Sequence, residues 1–201
     1  MAVLDVATLA PRAAARLLTS LVVPRPIAWA STVGLDGSLN LAPFSFFNAV
    51  GSTPPTVMIS IAQRSGRPKD TLRNIQETGE FVVNLGDEAL AEQLLLTSGE
   101  YDYTLNEFEL AKLETAPSLL VKPPRVALAP AALEVKLTQM VAVTETSYTM
   151  VIGRVLCYHV RDDLLRPNGL VDASLLHPLA RLGGDEFAAI GHIFELLRPV
   201  V

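Results

Sequence analysis

The alternation of apolar and polar residues predicts a chain built mainly from strands, with helices inserted between them. Strands are expected over residues 27–33, 39–47, 56–62, 81–85, 132–144 and 149–160. Apolar residues at helical spacing predict helices over residues 11–21, 68–77 and 88–96. The run Gly34-Leu-Asp-Gly37 joins the first two strands and is typical of a hairpin turn, because glycine adopts positive φ without a steric penalty.

This order of elements favours a mainly β fold with inserted helices. Many strands separated by turn residues predict a closed antiparallel, Greek-key-like barrel rather than a doubly wound sheet. The alternation of strand and helix between residues 56 and 85 is the main competing signal. Residues 97–130 show no clear period and predict an irregular excursion that covers one end of the barrel. We expect residues 1–201 to form a single domain, since this length can bury an adequate core.

The composition narrows the range of functions. Hydrophobic residues make up 50% of the chain and charged residues 18%, with a mean hydropathy of +0.35. Residues 37–63 carry no charge, but their asparagines, serines and prolines make a membrane span untenable. The surplus apolar surface predicts a subunit interface or a ligand groove. A net charge of −5 argues against a nucleic-acid partner, and the lack of a secretory signal pattern predicts a cytoplasmic location.

The residues that carry most enzyme chemistry are sparse. Cys157 is the single cysteine and lies in an apolar strand, so we expect a buried, inert thiol. His159, His177 and His192 show no metal-ligand spacing. Gly-x-Ser-x-Gly and glycine-rich nucleotide-binding motifs are absent. The sequence therefore predicts neither a metal site nor a dedicated catalytic residue.

A basic segment precedes the helix predicted near residue 70. It reads Arg64-Ser-Gly-Arg-Pro-Lys-Asp-Thr71 and places three cations and two hydroxyl groups where a strand ends and a helix begins. The unpaired N–H groups of a helix start bind anions, so one interpretation is a phosphate cradle. The alternative is a solvated basic loop that leads into a helix capped by Asp70.

The strand predicted over residues 39–47 is unusually polar on both faces. Alternation gives neither face a clean apolar pattern, and Pro43 indicates a bulge or a sheet edge. Such a strand can offer hydrogen bonds to a heterocycle, although a covered sheet edge explains it equally well. Ser31 and Thr32 are weaker candidates, and Trp29 is expected in the core rather than as a stacking platform.

Several runs, taken together in order, resemble the flavin reductase-like (flavoredoxin-type) family of FMN-binding split barrels. They are Arg25-Pro-Ile-Ala-Trp29, Asn40-Leu-Ala-Pro-Phe-Ser-Phe-Phe47, Pro54-Pro-Thr-Val57, Lys69-Asp-Thr-Leu-Arg-Asn-Ile75, Gly79-Glu-Phe-Val-Val-Asn84, Asn106-Glu-Phe-Glu109, Val121-Lys-Pro-Pro124 and Arg181-Leu-Gly-Gly184. The resemblance spans most of the chain. It implies a split barrel, a homodimer and FMN bound near the subunit interface. Two positions depart from the family pattern: Thr53, where Asp is frequent, and Phe187, where Tyr is frequent.

The resemblance also implies a cofactor site and an activity. It places Ser31 and Thr32 against the flavin, Asn40, Ala42, Pro43, Ser45 and Phe46 along its ring, and Arg67, Lys69, Asp70 and Thr71 around its phosphate. Arg181 would approach the nicotinamide or the partner subunit's flavin. The implied reaction is hydride transfer from NADH or NADPH to flavin N5, with onward delivery of electrons to a possible partner protein. A flavin-binding electron carrier and a flavin-dependent oxygenase or oxidase remain alternatives.

Overall fold

The computed structural model describes residues 1–63 and 66–199, which contain five α-helices and twelve strands. The helices are α1 (Pro11–Leu21), α2 (Asp70–Thr78), α3 (Ala91–Leu96), α4 (Glu107–Leu110) and α5 (Ala173–Leu176). The strands are β1 (Arg25–Pro26), β2 (Ala28–Val33), β3 (Leu39–Phe44), β4 (Phe47–Ser52), β5 (Pro55–Ala62), β6 (Glu80–Leu85), β7 (Thr115–Ala116), β8 (Arg125–Val126), β9 (Ala131–Ala142), β10 (Tyr148–Val160), β11 (Ala180–Arg181) and β12 (Phe187–Ala188). None of the described helices has the length and apolarity needed to cross a membrane.

Seven strands form one antiparallel sheet in the order β3-β2-β6-β9-β10-β5-β4. The long hairpin of β9 and β10 lies in the middle of this sheet and pairs along almost its whole length. Gly153 sits at a register shift there, and a Cβ on it would lie only 2.4 Å from Val135 Cγ1. Two further sheets are small: β1-β11-β12 and β7-β8. The predicted mainly β fold with inserted helices is therefore confirmed.

The predicted closure of the barrel is wrong. β3 and β4 are the edges of the seven-stranded sheet, and within the described ranges no ladder joins them. Only Ser45 and Phe46 separate β3 from β4, so the end of one edge strand and the start of the other lie within ~11 Å of each other. Pro43 has no amide hydrogen to donate, and the chain bends at residues 45–46. The single strand expected over 39–47 is thus two strands on either side of a split.

Two hydrophobic cores lie on opposite faces of β2, which is buried on both sides. The first core holds Ala28 and Ala30 with Leu72 and Ile75 of α2, the apolar stripe that the sequence predicts for this helix. The second core holds Trp29, together with apolar residues of α3 and α4. Trp29 is fully buried and donates from Nε1 to Thr97 Oγ1 at 2.8 Å. The expectation that it is a core residue is confirmed.

Helix α1 covers the predicted range but none of its residues is buried. It is fastened at its C-terminal end by Arg25, whose guanidinium donates to the carbonyls of Thr19, Val22 and Leu182. Gly183 allows this contact, because a Cβ there would lie 2.9 Å from Ser20 Cβ. The helix therefore lies on the surface beside the small sheet of β1, β11 and β12.

Strands β9 and β10 bring together a carboxylate and a histidine that no sequence motif connects. Glu134 is fully buried, and its two oxygens accept the backbone N–H groups of Leu119 and Leu120 at 2.6 Å. His159 Nε2 lies 2.6 Å from Glu134 Oε1, and Cys157 Sγ lies 3.9 Å from the same nitrogen. Burial acts to raise the pKa of Glu134, but the hydrogen bonds outweigh it and hold this pKa below its ordinary value. The cluster anchors the loop before β8.

Candidate functional site

A cleft of 610 Å³, called here the helix cleft, lies where β3 meets the start of α2 and the segment before α4. Its volume falls within the ~300–1,000 Å³ typical of small-molecule sites. Its lining residues are Asn40, Ala42, Pro43, Phe44, Arg67, Pro68, Lys69, Asp70, Thr71, Ser98, Gly99, Glu100, Tyr101, Asp102, Tyr103 and Glu107. The basic segment and the polar strand singled out in the sequence thus share one concave surface.

The basic end of the helix cleft is the N-terminus of α2. The helix begins at Asp70, and within the part of the chain that the structure describes its N-cap residue Lys69 makes no side-chain capping hydrogen bond. Asp70, the cap in the alternative interpretation of this segment, is already helical. Lys69 Nζ lies 5.8 Å from the centroid of the Phe44 ring, beside the cleft. Free amides at a helix start together with a cation favour an anion. Arg64 and Ser65, which the sequence adds to this cradle, lie outside the described residues.

Asn40 is the centre of a buried hydrogen-bond network beneath the helix cleft. Its Oδ1 accepts from Thr71 Oγ1 at 2.7 Å and from Thr32 Oγ1 at 3.3 Å. Its Nδ2 donates to Glu107 Oε1 at 3.0 Å. These three partners fix the orientation of the amide, because oxygen and nitrogen each have a matching group. Among residues 1–63 and 66–199 the second N–H of this amide has no acceptor, and Asn40 lines the helix cleft.

The network continues from Thr32 to the aromatic wall of the helix cleft. Asn74 Nδ2 donates to Thr32 Oγ1 at 3.0 Å, and the Tyr103 hydroxyl lies 3.3 Å from Asn74 Oδ1. The guanidinium carbon of Arg73 lies 3.2 Å from the centroid of the Tyr103 ring. Helix α2 therefore positions Tyr103 through both a hydrogen bond and a cation–π contact.

Glu107 is a buried carboxylate that the sequence reasoning did not select. It is 6% exposed, and besides Asn40 it accepts the backbone N–H of Leu41 at 3.0 Å through Oε2. Both oxygens act as acceptors, which suits the ionised carboxylate. Burial raises the pKa of Glu107 above its ordinary value, and the nearby charge of Asp70 adds to this rise. The residue was missed because it lies in the irregular stretch, where no period indicates which side chains turn inward.

Seven of the twelve predicted flavin contacts line the helix cleft: Asn40, Ala42, Pro43, Arg67, Lys69, Asp70 and Thr71. Ser31 and Thr32 are fully buried, and their side chains are hydrogen-bonded within the protein. Phe46 stacks on Tyr148, with ring centroids 5.5 Å apart.

The remaining two, Ser45 and Arg181, lie in an adjoining cleft of 490 Å³, called here the arginine cleft. Its lining residues are Ile27, Pro43, Ser45, Leu94, Leu95, Ser98, Arg181, Asp185 and Phe187. Pro43 and Ser98 belong to both clefts. The fold thus brings all but three of the predicted contacts to two neighbouring surfaces, separated by a shared wall.

Comparison with known proteins identifies the family. Residues 20–179 match the flavin reductase like domain, which is most of the chain. The chain therefore belongs to the flavin reductase-like family, as its sequence motifs indicate.

Three solved structures show how closely the fold is shared. Nitrilotriacetate monooxygenase component B from Bacillus cereus is 35% identical, with a TM-score of 0.92 and 98% of each chain covered. The 2-nitrobenzoate 2-nitroreductase of Pseudomonas fluorescens is 31% identical, with a TM-score of 0.89 and coverage of 98% of this chain and 96% of that one. A protein from Shewanella frigidimarina, described as a flavin reductase with a split barrel domain, is 24% identical, with a TM-score of 0.87 and 96% of each chain covered. The last likeness concerns the fold, and the open edge between β3 and β4 agrees with a split barrel.

Replacement of Glu107 by glutamine tests the network. Glu107→Gln keeps the size of the side chain but turns one accepting oxygen into a donor, which must then face Leu41 N–H or Asn40 Nδ2. We expect the free energy of unfolding at pH 7 to fall by about 1–3 kcal/mol, the penalty for a buried unsatisfied group. Urea unfolding measures this change.

The exposed neighbour Glu109 provides a matched control, since Glu109→Gln should change stability by less than ~0.5 kcal/mol.

The pH dependence of stability adds a second test of the Glu107 assignment. A raised pKa means that the folded protein binds this proton more tightly than the unfolded chain does. The contribution of Glu107 to stability is therefore greatest in acid and declines as pH rises from 4.5, its ordinary value, to the raised pKa. An identical slope in the Glu107→Gln variant over this interval would contradict the assignment.

Proposed function

We propose that this protein binds FMN and acts as an NAD(P)H:flavin oxidoreductase, with residues 1–201 forming one flavin-binding domain in the cytoplasm. The observation that carries the proposal is the helix cleft itself. It joins the N-terminus of α2, flanked by Lys69 and Arg67, to a strand edge with a fixed amide at Asn40. FMN has a phosphate, which suits the helix N-terminus, and a flat polar ring, which suits the strand edge.

The phosphate of FMN would bind at the start of α2. Backbone amides of the first turn and the side chains of Arg67 and Lys69 supply donors and positive charge. Thr71 is 1% exposed and its hydroxyl is bonded to Asn40, so its part is to hold the network rather than to donate from its side chain. Both roles depend on α2 keeping its place against β3.

The flavin ring would lie along β3. Ala42 and Pro43 are compact and present a surface without a long side chain, which suits a planar heterocycle. The free N–H of the Asn40 amide can donate to a ring oxygen or nitrogen. Flavin, when bound, supplies the redox chemistry, and the protein contributes position and electrostatics. This division agrees with the lack of a catalytic dyad in the sequence.

The double variant Arg67→Ala/Lys69→Ala tests the phosphate assignment. We expect FMN to bind about ten- to a hundred-fold more weakly, since charge-assisted hydrogen bonds to the phosphate are lost. Riboflavin, which has the ring but no phosphate, should bind the variant and the unchanged protein alike. Quenching of flavin fluorescence measures both affinities.

Lys136→Ala is the matched control, because Lys136 is an exposed lysine of β9 that lines neither cleft. Its FMN affinity should not change. Equal losses for FMN and riboflavin in the double variant would place the effect away from the phosphate and refute the assignment.

An anaerobic reduction assay tests the activity. FMN-loaded protein is mixed with NADH or NADPH, and the visible flavin band is followed against free FMN. Bleaching much faster than in the control is the expected result, and the faster donor names the nucleotide preference. A retained flavin that stays oxidised with both donors would refute the reductase and favour an electron carrier or an oxygenase. The likeness to a monooxygenase component B supports delivery of electrons to a partner protein.

A homodimer is part of this proposal. Leu18 and Leu21 of α1 and Phe194 and Leu197 of the C-terminal segment are 56–92% exposed in the single chain. Burial of such apolar side chains against a second copy would be favourable. We expect light scattering after gel filtration to give twice the chain mass of 21.6 kDa. A mass of one chain at micromolar concentration would refute the dimer.

A further inference from the structure

A second arginine, Arg25, lies beside Arg181 of the arginine cleft. β1 and β11 pair so that Arg25 and Arg181 are direct cross-strand partners. Like charges in this position destabilise a sheet. Arg25 is 7% exposed, and burial together with the charge of Arg181 lowers its pKa below the ordinary value. The fold therefore keeps two guanidinium groups close together at an energetic cost.

Carboxylates of the described residues compensate little of this charge. Among the described residues, Arg25 donates only to backbone carbonyls, and its buried Nε has no hydrogen-bond partner. Arg181 Nη2 donates to the carbonyl of Gly184 and lies 3.6 Å from Asp185 Oδ1. Asp185 is fully exposed, so its contact with Arg181 is weak. An anion in the cleft would supply the missing counter-charge.

The Arg181 guanidinium is held ready for such an anion. Its central carbon lies 4.4 Å from the centroid of the Phe187 ring, a cation–π contact that helps to hold the group in place. Within residues 1–63 and 66–199, its Nε and Nη1 have no hydrogen-bond acceptor. A planar, immobilised guanidinium with free N–H groups suits a carboxylate, which binds in the same plane.

The rest of the arginine cleft is mostly apolar. Ile27, Leu94 and Leu95 line it with the ring of Phe187, and Ser45 and Ser98 add two hydroxyl groups. One cation and an apolar wall fit a single negative charge on a hydrophobic body. A pyrophosphate would bring two charges and need more donors than the lining offers.

We propose that the arginine cleft binds a planar aromatic monocarboxylate, with its carboxylate on Arg181 and its ring against the apolar wall beside Pro43. Pro43 also lines the helix cleft, so the bound ring would lie next to the ligand held there. A role of the monocarboxylate as a second substrate rests on the proposed flavin site. Binding of the monocarboxylate in the arginine cleft does not.

A comparison of benzoate with benzamide separates the contribution of the carboxylate charge to binding from that of the ring. The two molecules share size and shape, but benzamide has no negative charge. Isothermal titration calorimetry of the full chain, with and without FMN, should show benzoate binding at least ten-fold more tightly, or about 1.4 kcal/mol. This preference should shrink as salt is added. Binding of benzoate no tighter than benzamide, or no binding at all, would overturn the proposal.

Variants of Arg181 locate the site. Arg181→Gln should weaken benzoate at least ten-fold and leave benzamide unchanged, while Arg181→Lys keeps the charge without the fork and should lose less. Arg154→Gln, an exposed arginine of β10 outside both clefts, is the control and should bind benzoate normally. Thermal unfolding identifies a variant that fails to fold, in which case Arg181→Lys decides the question.

The outcomes separate this proposal from the flavin assignment. Benzoate binding that depends on Arg181 in a protein that shows no FMN binding in the fluorescence titration supports the cleft and refutes the flavin site. Retained FMN with benzoate binding that is indifferent to Arg181 refutes the cleft alone. Arg181-dependent binding of NADH without any binding of benzoate would also overturn the proposal, because the cleft would then recognise the nucleotide.

Discussion

The carboxylate of Glu107 is the buried charge that joins the parts of the site. It accepts hydrogen bonds from the backbone of Leu41 and from the side chain of Asn40, and so it fastens α4 to the edge strand β3. Asn40 in turn accepts from Thr71 at the start of α2. A buried carboxylate needs such partners, because removal of its hydration without replacement is costly. The strand edge and the helix N-terminus are therefore held in a fixed relation.

The split of the sheet creates the surfaces on which ligands can bind. A closed ladder between β3 and β4 would consume the hydrogen-bonding edge of β3, whereas here the chain turns at Ser45 and Phe46 and leaves that edge open. Pro43 lies beside the turn and forms part of both clefts. One proline thus limits strand pairing and separates two neighbouring binding surfaces.

Cationic side chains lie at both clefts although the chain as a whole is negatively charged. The net charge is −5, yet Lys69 and Arg67 flank the helix cleft and Arg181 faces the arginine cleft, with Arg25 behind it. Each cleft therefore offers cationic side chains to an anionic ligand, whereas the net negative charge of the whole chain disfavours nonspecific contact with nucleic acid. Both proposed ligands are anions that carry a planar ring, so each cleft would bind its ligand through a cation for the anionic group and a surface for the ring.

The sequence by itself determined most of the long strands and the helices α1, α2 and α3, the place of Trp29 in the core, the apolar stripe of α2 and the family of the protein. These features are local or carried by contiguous motifs, so periodicity and residue type were enough. Tertiary structure decided which polar residues meet. Glu107 lies 67 positions from Asn40, and Glu134 lies 25 from His159, so neither pair had a detectable spacing. It also decided that Ser31 and Thr32 turn inward and that the barrel stays open, because both depend on how distant strands pack and not on any one segment.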